Sequence, residues 1–269
     1  WRLTPNRRGI YQLGPPQVTA GDLLGLYPRE RVGQEAPCEL MVFPRLVPLK
    51  PFAHIRRDLF GSPGAKSPVV DPIYLLGTRD YQAGRPSRYI HWTASARLNR
   101  LQERVFEPSR QARVLVVLDV APFAAHNDTD RFEETVEVVA SLAVECDRAG
   151  FAVGLVTNGV MAGDRSPLVS VARSGGQADR ILETLARVSM QPGPTIGENL
   201  LKMEGMDGGL SCVVFTLGED DGPDGAAAVL RRKNILVTRV CCDRTDLPGR
   251  SGRERITLDG LLAVKEHRI

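Results

Sequence analysis

The chain has 269 residues, 42% of them apolar and 25% charged, with a net charge of +3, which suits one large or two modest water-soluble globular domains. The composition excludes collagen, coiled-coil and small disulfide scaffolds, and no stretch reaches the ~18 consecutive apolar residues of a membrane-spanning helix. So small a surplus of positive charge does not by itself argue for a nucleic-acid-binding surface.

Residues 1–50 read as a β-rich domain. Short β-like runs at Gly9 to Leu13, Gln17 to Ala20 and Glu39 to Phe43 are broken by Gly14-Pro15-Pro16, Pro37 and Pro44. The chain opens on Trp1 rather than methionine, which leaves room for an N-terminal portion ahead of it. Residues 51–78 are a Pro/Gly-rich connector, with Pro51, Gly61-Ser62-Pro63-Gly64, Pro68 and Pro72 and no sustained periodicity; a linker or long surface loop is predicted there. Residues 79–112 are rich in arginine, and the positive surplus from Arg79 to Arg113 exceeds that of the whole chain. From Arg79 to Arg113 eight arginines stand against Asp80, Glu103 and Glu107, interleaved with Tyr81, Tyr89 and Trp92.

From residue 113 to 269 strands and helices alternate. Arg113 to Val120 is a near-continuous β-branched and leucine run, as in a strand buried on both faces of a parallel sheet, and is predicted to be the central strand. Asp130 with Glu133 forms a candidate capping box for a helix whose apolar positions Val136, Val139, Ala140, Ala143 and Val144 recur at helical spacing, with Gly150 as its stop. Further strands are predicted at Ala152 to Thr157, Leu168 to Ala172, Ser211 to Leu217 and Ile235 to Cys242, and helices at Ala178 to Val188, Ile196 to Met203 and Gly225 to Lys233. The alternation predicts a doubly wound α/β sheet.

In such a fold ligands sit beyond the carboxyl ends of the strands, so Asp119, closing the most apolar strand, is the first candidate. An acid there can ligate a cation, act as a nucleophile, or simply bond backbone amides of the next turn. A phosphotransferase of the haloacid dehalogenase type needs a second acid two residues on, where Ala121 stands. Phosphate-binding glycine loops, H-E-x-x-H and G-x-S-x-G are all missing from the sequence. Ser174-Gly175-Gly176-Gln177, ahead of a helix, reads as a glycine turn or an anion-accepting nest. His54, His91, His126 and His267 are scattered, and the odd set Cys38, Cys146, Cys212, Cys241 and Cys242 has no metal-knuckle spacing, which points to a reducing compartment.

The segment from Arg79 to Arg97, RDYQAGRPSRYIHWTASAR, resembles the hallmark of the domain of unknown function 58 family, R-x-Y-x-x-G-D followed by I-x-W-x-x-[ST]-A-R. Arg85 replaces the usual acid after the glycine. Arg7 to Tyr11 and Gly21 to Tyr27 are similar to the family's upstream β-rich region, so the resemblance covers most of the chain.

The resemblance implies a von Willebrand factor type A-like α/β domain after a small β domain. The parent proteins it implies carry N-terminal transmembrane helices, with the soluble domain in the cytoplasm, and are encoded beside MoxR-type AAA+ ATPases. It also implies a metal-ion adhesion position built from Asp-x-Ser-x-Ser, a loop threonine and a later aspartate. Here Asp119 and Thr195 match, Ala121 and Phe123 replace both serines, and Leu217 falls near the last acid, with Glu219 and Asp220 slightly later. Hard cations take six or more oxygen ligands, so no tight Mg²⁺ or Ca²⁺ site and no cofactor are expected. Thr195 with Glu198 is equally a capping box.

The expected role is a non-enzymatic interaction module that docks an AAA+ ATPase or its client. One contact region is Asp119, Pro122, Phe123 and Thr195, with Phe123 as an exposed apolar anchor. A second is a basic ledge of Arg79, Tyr81, Arg88, Trp92 and Arg97, whose plainer reading is an architectural tie between the two domains. The alternatives are a metal-dependent hydrolase or phosphotransferase using Asp119 with Glu219 or Asp220, and a nucleic-acid binder working through residues 79–113.

Overall fold

A computed structural model describes residues 4–21, 29–33, 36–51, 54, 70–81, 90–108, 113–203, 206, 210–218, 225–233, 235–243 and 256–263. At its centre lies a six-stranded sheet in the order β10-β8-β7-β12-β13-β14, formed by β7 (Arg113–Leu118), β8 (Ala152–Thr157), β10 (Leu168–Ala172), β12 (Leu210–Thr216), β13 (Leu236–Cys241) and β14 (Ile256–Thr257). All neighbours are parallel except β10 and β8. The chain leaves β7 first toward β8 and β10, then returns to its other side through β12 and β13. The topological switch point therefore lies between β7 and β12.

The pleat of β7 explains its continuous apolar run. Val114, Val116 and Leu118 join one buried cluster, Leu115 and Val117 another, so both faces need cover. The first face is covered by α3 (Thr129–Arg148) and α4 (Gln177–Arg187), which contribute Phe132, Val136, Val139, Ile181 and Leu185. The second is covered by α5 (Ile196–Leu201) and α6 (Ala226–Arg232), through Ile196, Leu200, Val229 and Leu230. The doubly wound reading of residues 113–269 agrees with this α/β architecture.

Several local expectations need correction. The N-cap of α3 is Asp128, whose side chain accepts from the Arg131 N–H at 3.0 Å, so Asp130 lies inside the first turn. The last part of the expected connector is strand: β5 (Val70–Asp80) pairs antiparallel with β6 (Gln102–Pro108), with register shifts between Val70 and Gly77. Those irregularities accommodate Pro72, which cannot donate to a ladder, and the distant partner strand supplies what the local pattern lacked. Between them stands α1 (Trp92–Leu98). A short helix, α2 (Ala121–His126), follows β7, and α7 (Leu258–Leu261) follows β14.

The N-terminal region packs directly on the α/β unit. Strands β1 (Gly9–Leu13) and β4 (Cys38–Val42) pair antiparallel, while β2 (Gln17–Ala20) and β3 (Arg29–Val32) form a separate exposed ribbon. Arg8, just before β1, reaches Glu133 on α3 at 2.7 and 3.0 Å, and also donates to the Leu185 carbonyl on α4. In the opposite sense Arg187 of α4 pairs with Glu39 of β4 at 3.0 Å. Residues 47–50 then run along α3, with the Val47 N–H on Ser141 Oγ at 2.8 Å and a bridge from Leu49 to Leu262. No helix among the described residues is long and apolar enough to cross a membrane.

Candidate functional site

Two regions were marked by the sequence, the rim at the switch point and the arginine and aromatic segment. At the rim, β7 ends at Leu118 and the Asp119 N–H donates to the Phe215 carbonyl of β12 at 3.0 Å, holding the acid at the switch point. Asp119 is only 8% exposed. Its Oδ1 accepts from Asn158 Nδ2 at 2.8 Å and from the Ala121 N–H at 3.2 Å. Asn158 Oδ1 in turn accepts from the Val120 N–H at 2.7 Å, and its main-chain carbonyl accepts from the Gly193 N–H at 2.6 Å. One buried asparagine thus joins the loops after β7 and β8 to the end of β11 (Val188–Pro192), which pairs antiparallel with β9 (Gly159–Met161). Asn158 carried no signal in the sequence, since its partners are 38 and 39 residues away.

Phe123 is fully buried, with its ring 5.8 Å from that of Phe132 at an interplanar angle of 61°. It is a core residue and cannot serve as the exposed anchor expected of it; burying such a ring stabilises the fold by about 1.5–3 kcal/mol, which outweighs presenting it to water. Pro122 is half-buried in the first turn of α2, and its carbonyl lies 2.8 Å from His126 Nδ1. Thr195 is exposed and caps α5, its Oγ1 accepting from the Glu198 N–H at 3.3 Å, which is the capping role read from the sequence. Leu217 packs against the core, and Glu219 and Asp220 lie outside the described residues.

On the other side of the switch point the rim is closed by a charged knot. Asp243 Oδ1 accepts from the Gly218 N–H at 3.0 Å, which ties the end of β12 to that of β13. Buried Arg131 donates to the carbonyls of Cys242 and Asp243 and pairs with Asp259 at 2.9 Å and Glu134 at 2.8 Å. Burial works against its charge, yet Asp259 and Glu134 outweigh that and hold the guanidinium protonated well above its ordinary range. Among the described residues no three His, Cys, Asp or Glu side chains converge to hold a metal.

The turn at Ser174 to Gln177 is a glycine turn. Gly176 has φ +84°, the Gln177 N–H donates to the Ser174 carbonyl at 3.1 Å, and the Gln177 amide reaches across to the carbonyls of Val153 and Ser170 at 2.7 and 2.8 Å. That amide closes the gap left where β10 bulges away from β8.

The arginine and aromatic segment forms a β5-α1-β6 unit. His91 caps α1, with Nδ1 accepting from the Ala94 N–H at 3.1 Å, while Ser95 Oγ donates to the His91 carbonyl and accepts from the Gln102 N–H at 2.8 Å. Gln102 Nε2 donates to Asp80 at 2.5 Å. Arg79 pairs with the buried carboxylate of Glu103, and Arg100 with Asp80 at 3.1 Å. The Tyr81 N–H donates to the Leu101 carbonyl at 2.9 Å. Trp92 is 65% exposed and Arg97 is exposed; Arg88 and Arg85 lie outside the described residues. Arg79 is thus tied within its own unit, and Trp92 stands in solvent.

Residues 77–207, just under half of the chain, match the family model described as protein of unknown function DUF58, which supports membership of that family. The chain is also similar to "Uncharacterized protein YeaD" of Bacillus subtilis (strain 168), 29% identical over 154 residues; the alignment takes in 56% of this chain and only 37% of that relative.

Proposed function

We propose that this chain is a non-enzymatic protein-interaction module built on a von Willebrand factor type A-like sheet. In this reading it is the cytoplasmic part of a membrane-anchored protein that works with a MoxR-type AAA+ ATPase. The strand order, with its single antiparallel member β10 and an aspartate closing the central strand, supports the type A-like assignment.

The observation that carries the reading is the state of Asp119. Its Oδ1 already accepts two internal hydrogen bonds, and the flanking positions of the adhesion motif are a methyl at Ala121 and a ring turned into the core at Phe123. Removing hydroxyl donors while filling their space with apolar side chains leaves a hard cation short of ligands. The metal-ion adhesion position is in this reading degenerate, and recognition works by shape and surface charge.

Two titrations test it. Calorimetry with Mg²⁺ should give no saturable binding tighter than about 0.1 mM, a range already weak for such sites. Titration with the MoxR-type ATPase of the same genome should give saturable binding tighter than about 10 µM. Tight Mg²⁺ binding abolished by Asp119→Ala overturns the degenerate site, and absence of ATPase binding overturns the partner assignment.

A further inference from the structure

We infer that the open edge of β10 and the facing side of α4 form a cleft that takes an extended segment of a partner protein. That segment adds to the sheet as a further strand and sets one carboxylate on Arg180. The inference rests on the interaction-module reading and gives it a place and a mode of contact.

Strand β10 ends one side of the six-stranded sheet: it pairs with β8, and among the described residues no strand lies on its other side. It reads Leu-Val-Ser-Val-Ala, without the charge or proline that commonly keeps an edge single. A cleft of about 450 Å³ runs beside it. Leu168 and Val169 both line this cleft although their side chains pack on opposite faces of the sheet, so the cleft follows the backbone edge and not one face. The facing wall is one stripe of α4. Gln177, Arg180, Thr184 and Arg187 follow at steps of three, four and three residues, beside the apolar stripe of Ile181 and Leu185. Three of those four are buried and bonded internally: Gln177 to the Val153 and Ser170 carbonyls, Thr184 to the Arg180 carbonyl, and Arg187 to Glu39 and Glu183. The wall is therefore set before anything binds, which lowers the cost of binding. An edge strand facing a helix across a groove suits an extended peptide, which pairs with the free main-chain groups and places alternate side chains in the groove.

Position, not net charge, selects the occupant. Around the cleft Arg165, Arg173, Arg180 and Arg187 stand against Glu39, Asp164, Asp179 and Glu183, so the region is neutral. Glu183 and Glu39 are held by Arg187 at 3.2 and 3.0 Å, with Arg165 at 3.8 Å from Glu183, while Asp164 and Asp179 do not line the cleft. Arg180 lines it and is exposed, and its guanidinium has no hydrogen bond or ion pair among the described residues. A planar fork of donors beside an open strand edge suits a carboxylate on the incoming strand. A second copy pairing through its own β10 would bring no acid and leave Arg180 unmatched, which favours a separate partner.

The test uses a short fluorescein-labelled peptide that alternates valine and threonine around a central glutamate. Anisotropy should show it binding, and the same peptide with a central glutamine at least about tenfold weaker. Two further versions carry N-methyl groups on one or the other alternate set of backbone nitrogens. Only one set faces the edge of the sheet, so one version should lose at least about tenfold and the other little. Arg180→Glu should weaken the glutamate peptide about tenfold, and a lysine-centred peptide should recover the binding, which separates a lost contact from a lost fold. Absence of binding up to about 1 mM, equal effects of the two methylated sets, or unaltered binding by Arg180→Glu overturns the cleft. A dimer in sedimentation that the peptide disperses gives the edge to a second copy and overturns the partner. A chain that binds the ATPase but no peptide sinks the cleft and leaves the interaction-module reading standing, whereas one that binds the peptide but not the ATPase sinks only the partner assignment.

Discussion

The guanidinium of Arg8 lies 5.2 Å from the centre of the Phe132 ring while donating to both carboxylate oxygens of the neighbouring Glu133. Phe132 in turn meets Phe123 of α2 edge-on, so a cation and two rings link the start of the N-terminal hairpin to the helix that follows Asp119. A cation over an aromatic face gains from the ring's quadrupole, and the paired carboxylate offsets the cost of burying it.

Arg8→Ala should therefore destabilise the fold by about 2 kcal/mol, less than the roughly 3–5 of a fully enclosed pair because Glu133 remains half-exposed and can be rehydrated. Arg8→Met, which keeps the stem over Phe132, should recover part of that loss. Urea denaturation midpoints measure both, and an unchanged midpoint for Arg8→Ala would show that the hairpin contributes no stability through this contact.

Asn158→Ala strips the Val120 N–H of its acceptor and removes a donor from Asp119, both in buried surroundings, and should cost about 3 kcal/mol. Asn158→Asp places a second carboxylate against Asp119. Repulsion would raise the folded-state pKa of the pair, so its stability is present at low pH and is lost as pH rises through that raised value. Relative to the unsubstituted chain, Asn158→Asp should be closer in stability at pH 4 than at pH 7; the reverse order in thermal melts would refute the contact.

Gly154 lies opposite the β10 bulge, between the Leu155–Val169 and Val153–Ala172 pairs. A Cβ there would stand 2.7 Å from Val171 Cγ2, 2.8 Å from the Val169 carbonyl oxygen and 2.9 Å from the Val171 nitrogen. Backbone atoms cannot rotate away, so Gly154→Ala should cost about 1–3 kcal/mol, whereas Gly14→Ala, with open space around it, should cost little. Equal midpoints for the two variants would count against the bulged register.

Burial pushes the thiols of Cys146, Cys212 and Cys242 up to about 12, while Cys38 is exposed. A thiol-disulfide reagent at neutral pH should therefore modify Cys38 rapidly and the buried cysteines only after denaturation. Loss of the fast phase in Cys38→Ser identifies it, and rapid modification of that variant would contradict the buried placement.

Wherever a residue's surroundings are supplied by its own neighbours in the chain, the sequence was readable. The run from Arg113 to Leu118 announces a strand buried on both faces, the spacing of Val136, Val139 and Ala143 announces α3, and Thr195 with Glu198 announces a cap, because pleat, helical turn and capping bonds all act within a few residues. The alternation of such elements was enough to place Asp119 at the sheet's carboxyl edge.

Long-range contacts settled the rest. Phe123 looked available because nothing nearby in sequence reveals Phe132 beneath it; β5 looked like a loop until β6 paired with it; Asn158 was invisible because its task is to join three separated loops. Trp92 shows the same limit in reverse. The sequence left Trp92 between a ledge residue and a tie joining the domains, and the bonds of the His91 N–H and Ser95 Oγ to the Gln102 backbone, eleven and seven residues on, hold α1 on the strand with the ring exposed. Side-chain burial depends on what folding brings alongside, and no local pattern carries that information.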